Sequence, residues 1–79
     1  MLIKRLPNLK VNGRLEVEVG SKIKSAREEC GLSQKELGKL MGLKSGVAVS
    51  LWEKNKRSVN AIQLWKIAQI TNLPITHFL

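Results

Sequence analysis

Two short apolar-periodic segments, each with its own start and stop signals and only a few residues apart, constrain this chain more than anything else in it. They lie in GLSQKELGKLMGLKSGVAVSLWEKNKR, between Gly31 and Arg57. Ser33 is placed as a helix N-cap, and Glu36, three residues on, completes a capping box that satisfies two backbone donors reciprocally. Leu37, Leu40 and Met41 follow at helical spacing as a buried stripe, and Gly42 ends the segment. A second helix is expected from about Ser45 to Lys54, with Asn55 suited to the left-handed conformation at its end. A tight turn must join them.

The flanks read as more helix. Ser21 is a plausible N-cap for a preceding helix in which Ile23, Ala26, Arg27 and Cys30 share a face, with Gly31 as its stop. Asn60 and Gln63 repeat the capping logic for a following helix, whose apolar face runs through Ile62, Trp65 or Leu64, Ile67, Ala68 and Thr71 before Asn72 closes it. Pro74 stands where a first-turn proline is tolerated, so Ile75–Leu79 is expected to be a last short helix. Residues 1–19 differ. Leu15, Val17 and Val19 alternate with Arg14, Glu16 and Glu18, a period-2 pattern, and Asn12-Gly13 is a turn signal after Leu9-Lys10-Val11. A two-residue turn would mix the faces of such a hairpin, so a bulged loop or a plain extended arm is equally compatible; a helix beginning near Glu16 is the alternative. The expected fold is therefore all-α: a compact five-helix bundle over residues 20–79, preceded by an arm or β-hairpin over residues 1–19.

Seventy-nine residues bury only a modest core, for which helices on short loops are the economical solution. The net charge is +8, from fourteen Lys and Arg against six acids, all Glu. Such an excess favours a polyanionic partner, because each phosphate neutralised releases a condensed counterion; a merely solvated basic surface is the plainer reading of charge alone. Cys30 is single, which excludes an internal disulfide or a cysteine-based metal site and fits a reducing cytoplasm. No stretch approaches the roughly 18 apolar residues of a membrane span. The chain has no Asp or Tyr and one histidine, His77, near its end, so no nucleophile–base constellation can be assembled. No enzyme activity, cofactor or metal is expected.

Taken in order, Arg27, Gly31-Leu32-Ser33-Gln34, Glu36-Leu37, Gly42-Leu43, Val49-Ser50, Trp52-Glu53 and the closing Asn72-Leu73-Pro74 resemble the helix-turn-helix family of phage repressors, Cro proteins and related bacterial regulators. Each residue is weak evidence alone; the ordered set is specific, and it spans roughly Gly20 to Leu79. The resemblance implies a bundle that binds double-stranded operator DNA as a homodimer. It makes Arg27 and Glu53 a structural ion pair between the first and third helices, and gives Ser33 and Gln34 a DNA-backbone role. Lys54, Asn55, Lys56 and Arg57 match the loop that lies along the phosphates, with Lys44 a weaker candidate for the same task. Leu73, Ile75, Phe78 and Leu79 fall in the expected dimer interface. Trp52 reads as core, and Trp65 as core or subunit interface.

The chain also departs from that pattern. Gln34 to Glu53 is one residue longer than the usual family spacing. If the extra residue lies in the turn, around Leu43–Ser45, then Val49, Trp52 and Glu53 face inward. Gly46, Val47, Ser50 and Leu51, with Ser45, would then face the bases. If it lies inside the helix, Val47 and Leu51 become core. The turn is preferred, because a loop absorbs an insertion without rotating a packed face. Val47 and Leu51 would meet thymine methyl groups, and neither they nor their neighbours can form the bidentate contacts that usually specify sequence. The functional expectation is a sequence-specific transcriptional regulator, a phage- or prophage-like repressor on a palindromic operator. A protein-interaction module or antitoxin component on the same fold is the alternative, and both are separable by whether random duplex is bound in a salt-sensitive manner.

Overall fold

The structure, a computed structural model, describes the backbone of residues 12–79 and the side chains of residues 19–79. Among the described residues four α-helices follow one another: α1 (Asn12–Glu29), α2 (Gln34–Leu40), α3 (Val47–Glu53) and α4 (Ala61–Thr71). A 3-10 helix spans Ile75–Phe78 where a fifth α-helix was expected. Pro74 stands before it in an extended conformation, at φ −69° and ψ 149°. Its turn closes instead through His77 N–H to the Pro74 carbonyl (2.9 Å) and Leu79 N–H to that of Thr76 (3.2 Å).

One core joins the elements. Ile23 and Ala26 of α1, Leu37 and Met41 around α2, Val49 and Trp52 of α3, Leu64, Ile67 and Ala68 of α4, and Phe78 are all buried. Each helix thus contributes a pair or trio at i, i+3 or i+4, as a 3.6-residue period requires. α3 packs on α2 and α1, while the 3-10 helix packs on α1 and α4. Leu40 and Ile62, expected inside, are exposed, and Trp65, expected in the core or at a subunit interface, is 53% exposed. The buried arc of α4 is centred on Leu64, Ile67, Ala68 and Thr71; at 100° per residue Ile62 falls opposite it and Trp65 beyond its edge. Leu40 likewise falls at the edge of the narrow Leu37–Met41 arc.

Ser21 is not an N-cap, because α1 runs through it from Asn12. The backbone of residues 12–19 is therefore helical where alternation favoured a strand. Leu15, Val19 and Ile23 are also spaced by four, so the same residues satisfy a helical period. Residues 1–11, with the remainder of the expected arm or hairpin, lie outside the described residues. Gly20 is a packing position in α1: a Cβ there would stand 2.7 Å from the Trp52 carbonyl oxygen and 3.0 Å from that of Glu53. Its lack of a side chain lets α1 approach the end of α3.

All four helices stop in the same way. A residue at positive φ follows each: Gly31 (73°), Gly42 (85°), Asn55 (60°) and Asn72 (59°). The next N–H then reaches back five residues, from Leu32 to the Arg27 carbonyl (3.1 Å), Leu43 to Gly38 (2.8 Å), Lys56 to Leu51 (2.8 Å) and Leu73 to Ala68 (3.0 Å). This is the Schellman arrangement, in which an apolar side chain after the left-handed residue commonly packs back on the helix. Leu32, Leu43 and Leu73 do so against the core. At the end of α3 the position holds Lys56, which is exposed. The exception places a cation where the other three helices place a leucine.

Candidate nucleic-acid interface

α2 and α3 are brought together by two glycines. A Cβ on Gly38 would collide with the Ser45 carbonyl, and one on Gly46 would stand 2.7 Å from both the Gln34 carbonyl carbon and the Lys35 nitrogen. Gly46 therefore faces the first turn of α2 and not a groove, which corrects its expected base-facing role. The helix it precedes begins at Val47, two residues later than expected, because Ser45 and Gly46 are spent on this contact. Val49 is fully buried, Trp52 nearly so, and Val47 is 62% exposed. That orientation matches the placement of the extra residue in the turn.

A polar network fixes the other end of the motif. Arg27 Nε donates to Glu53 Oε2 (2.6 Å) and its Nη2 to Oε1 (3.2 Å), while Nη1 donates to the Leu32 carbonyl (2.8 Å). The two side chains are almost enclosed, 10% and 4% exposed. The hydrogen bond to Glu53 raises the Arg27 pKa, against the opposing effect of burial. Glu53 Oε1 also accepts from Gln34 Nε2 at 2.9 Å. A carboxylate can only accept, so this bond orients the Gln34 amide with its NH2 toward α3. One of two amide N–H groups is thereby engaged, leaving the other for an outside acceptor. The family resemblance paired Arg27 with Glu53 but did not join Gln34 to them, since the contact spans 19 residues and no local spacing signals it.

The remaining expected positions divide between an outward face and a loop. Ser50 and Leu51 are half-buried beside Val47, and Ser45 and Lys44 are exposed in the turn. Ser45 Oγ accepts the Val47 N–H at 3.3 Å, helping to start α3. Lys54, Asn55, Lys56 and Arg57 are exposed after α3. Among the described residues, ion pairs are made only by Arg27, with Glu28 and Glu53. Arg57 and Asn55 also line a cleft of about 180 Å³ with Val19, Gly20 and Trp52, whose buried Nε1 has no hydrogen-bond partner among the described residues.

Of the positions expected at a subunit interface, Phe78 belongs elsewhere. Its side chain is 0% exposed in the core, beneath Ile23 and α4, and has no surface to offer another chain. Leu73 and Ile75 are partly buried against the same core, and Leu79 is exposed. Among the described residues, no helix is long and apolar enough to cross a membrane.

The family described as helix-turn-helix matches residues 23–78. Two proteins named as uncharacterized HTH-type transcriptional regulators, from Sinorhizobium medicae (strain WSM419) and Rhizobium meliloti (strain 1021), are each 33% identical over 73 residues. Those residues are 92% of this chain and 52% of each relative, so the chain spans about half the length of the curated relatives it matches. The crystal structure of the restriction-modification controller protein C.AhdI from Aeromonas hydrophila superposes with a TM-score of 0.75 at 27% identity. The superposition covers 85% of this chain and 98% of that one.

Proposed function

We propose, from the premise that this chain belongs to the helix-turn-helix family of DNA-binding transcriptional regulators, that it is a sequence-specific repressor acting in the cytoplasm as a homodimer on a palindromic operator. The family is one of regulators, not enzymes. The observation that carries the reading is the placement of cations around α3. Lys44 precedes its outward face, and Lys54, Lys56 and Arg57 follow it, with Lys56 in the position that leucine fills after the other helices. Phosphates flanking a major groove are the partner such a frame fits. Gln34 adds its second amide N–H from α2, and Val47, Ser50 and Leu51 face the bases. Leu79, with the partly buried Leu73 and Ile75, supplies the apolar contact between subunits.

A gel shift on random-sequence duplex tests this directly. Weak binding is expected that collapses with added salt, and Lys56→Ala should weaken every sequence alike while reducing the log Kd–log[salt] slope by about 0.9. Absence of any salt-sensitive shift overturns the reading. A protein-interaction or antitoxin role is favoured by a separate observation: exposed Leu40 and Trp65 border a groove with Met41 and Ile70, edged by Lys66 and Gln69. Selection from a random duplex pool separates the two, since only an operator binder enriches a palindrome.

A further inference from the structure

We infer that α3 reads the C5-methyl group of pyrimidines, so that 5-methylcytosine substitutes for thymine at the contacted positions and methylation of the operator controls occupancy. The inference rests on the DNA-binding reading above and concerns what the groove-facing residues can and cannot distinguish.

α3 carries no group able to make a bidentate base contact. Its sequence is Val-Ala-Val-Ser-Leu-Trp-Glu; Val49 and Trp52 are core, Ala48 packs partly against it, and the Glu53 carboxylate is held by Arg27 and Gln34. What remains outward is hydrocarbon from Val47 and Leu51, and a hydroxyl from Ser50. In the major groove thymine shows an O4 acceptor and a methyl group, while cytosine shows an N4 donor and no methyl. An amide or guanidinium would separate these by hydrogen-bond polarity. Hydrocarbon does not sense that polarity, but it does sense whether a methyl group is present.

The hydroxyls reinforce this tolerance. Serine Oγ both donates and accepts and its hydrogen rotates, so Ser50 can donate to O4 or accept from N4 without moving. Ser45 accepts the Val47 N–H with one lone pair and retains both its O–H and a second lone pair. The four pyrimidines should therefore rank by methylation: thymine with 5-methylcytosine, above cytosine with uracil. Polar readout would instead group thymine with uracil and cytosine with 5-methylcytosine.

One methyl group buried against a hydrocarbon side chain corresponds to about a fourfold change in Kd. The experiment takes the duplex enriched from a random pool and resynthesises it in two series. Replacing dT by dU throughout should weaken binding about fourfold for each contacted methyl. At a contacted T·A pair changed to C·G, methylating that cytosine at C5 should recover about fourfold relative to unmethylated C·G. Val47→Ala, an exposed position whose change leaves folding intact, should blunt the dU penalty at its own base step. Equal binding of the dT and dU duplexes, or of methylated and unmethylated C·G, overturns the inference while leaving DNA binding in place. Failure to shift any duplex strikes the proposed function itself.

Discussion

α2 and α3 are each seven residues long, lie against one another, and begin in opposite ways. α2 is opened by local chemistry. Ser33 Oγ accepts the Glu36 N–H (2.9 Å), and Glu36 Oε1 accepts the Ser33 N–H (2.8 Å), a closed capping box within four residues. α3 is opened by Gly46, which has no side chain to cap with, and its start is fixed by contact with the backbone of Gln34 and Lys35. One helix is specified by its own sequence, the other by its neighbour. A helix held by what lies behind it is free to vary in front, which is where a reading surface needs freedom.

That difference predicts unequal costs. Gly46→Ala should be the more damaging change, because the new Cβ meets backbone atoms of α2 that cannot rotate away. A loss of about 1–3 kcal/mol is expected in urea unfolding, and duplex affinity should fall with it as α3 is displaced. Ser33→Ala removes a cap but nothing from the α2–α3 contact. It should cost about 1 kcal/mol and leave the relative preference among DNA sequences unchanged. If Ser33→Ala proved the costlier of the two, α3 would not depend on α2 in the way described.

The same difference explains what was legible in the sequence. The caps of α2 and α4 were readable because both partners of each box lie three residues apart, and the stops at Gly31, Gly42, Asn55 and Asn72 because few residues adopt positive φ. Arg27 and Glu53 were readable only through the family resemblance. The start of α3 was not readable: a helix was expected from about Ser45, but the Ser45 carbonyl and Gly46 lie against α2, a contact that appears only in three dimensions. Ser21 misled for the same reason, since the Gly20 before it lies within α1, where it admits the end of α3. Ile62 and Leu40 misled differently: both stand at near-helical spacing with buried residues, yet the arc each helix buries is narrower than its apolar residues span.

The smallest expected effect is also the sharpest on this comparison. Val47 stands one residue after Gly46, 62% exposed, with its neighbour packed and itself free. Val47→Ala should therefore change unfolding free energy by no more than about 0.5 kcal/mol, as surface positions do. Alanine also has the better helix propensity, which opposes any loss of packing. Two adjacent residues would then differ severalfold in their effect on stability while both alter DNA binding, one by moving the helix and the other by changing what it presents. A Val47→Ala loss as large as that of Gly46→Ala, measured in the same urea titration, would mean that Val47 supports the fold and that the outward face of α3 begins further along, at Ser50 and Leu51.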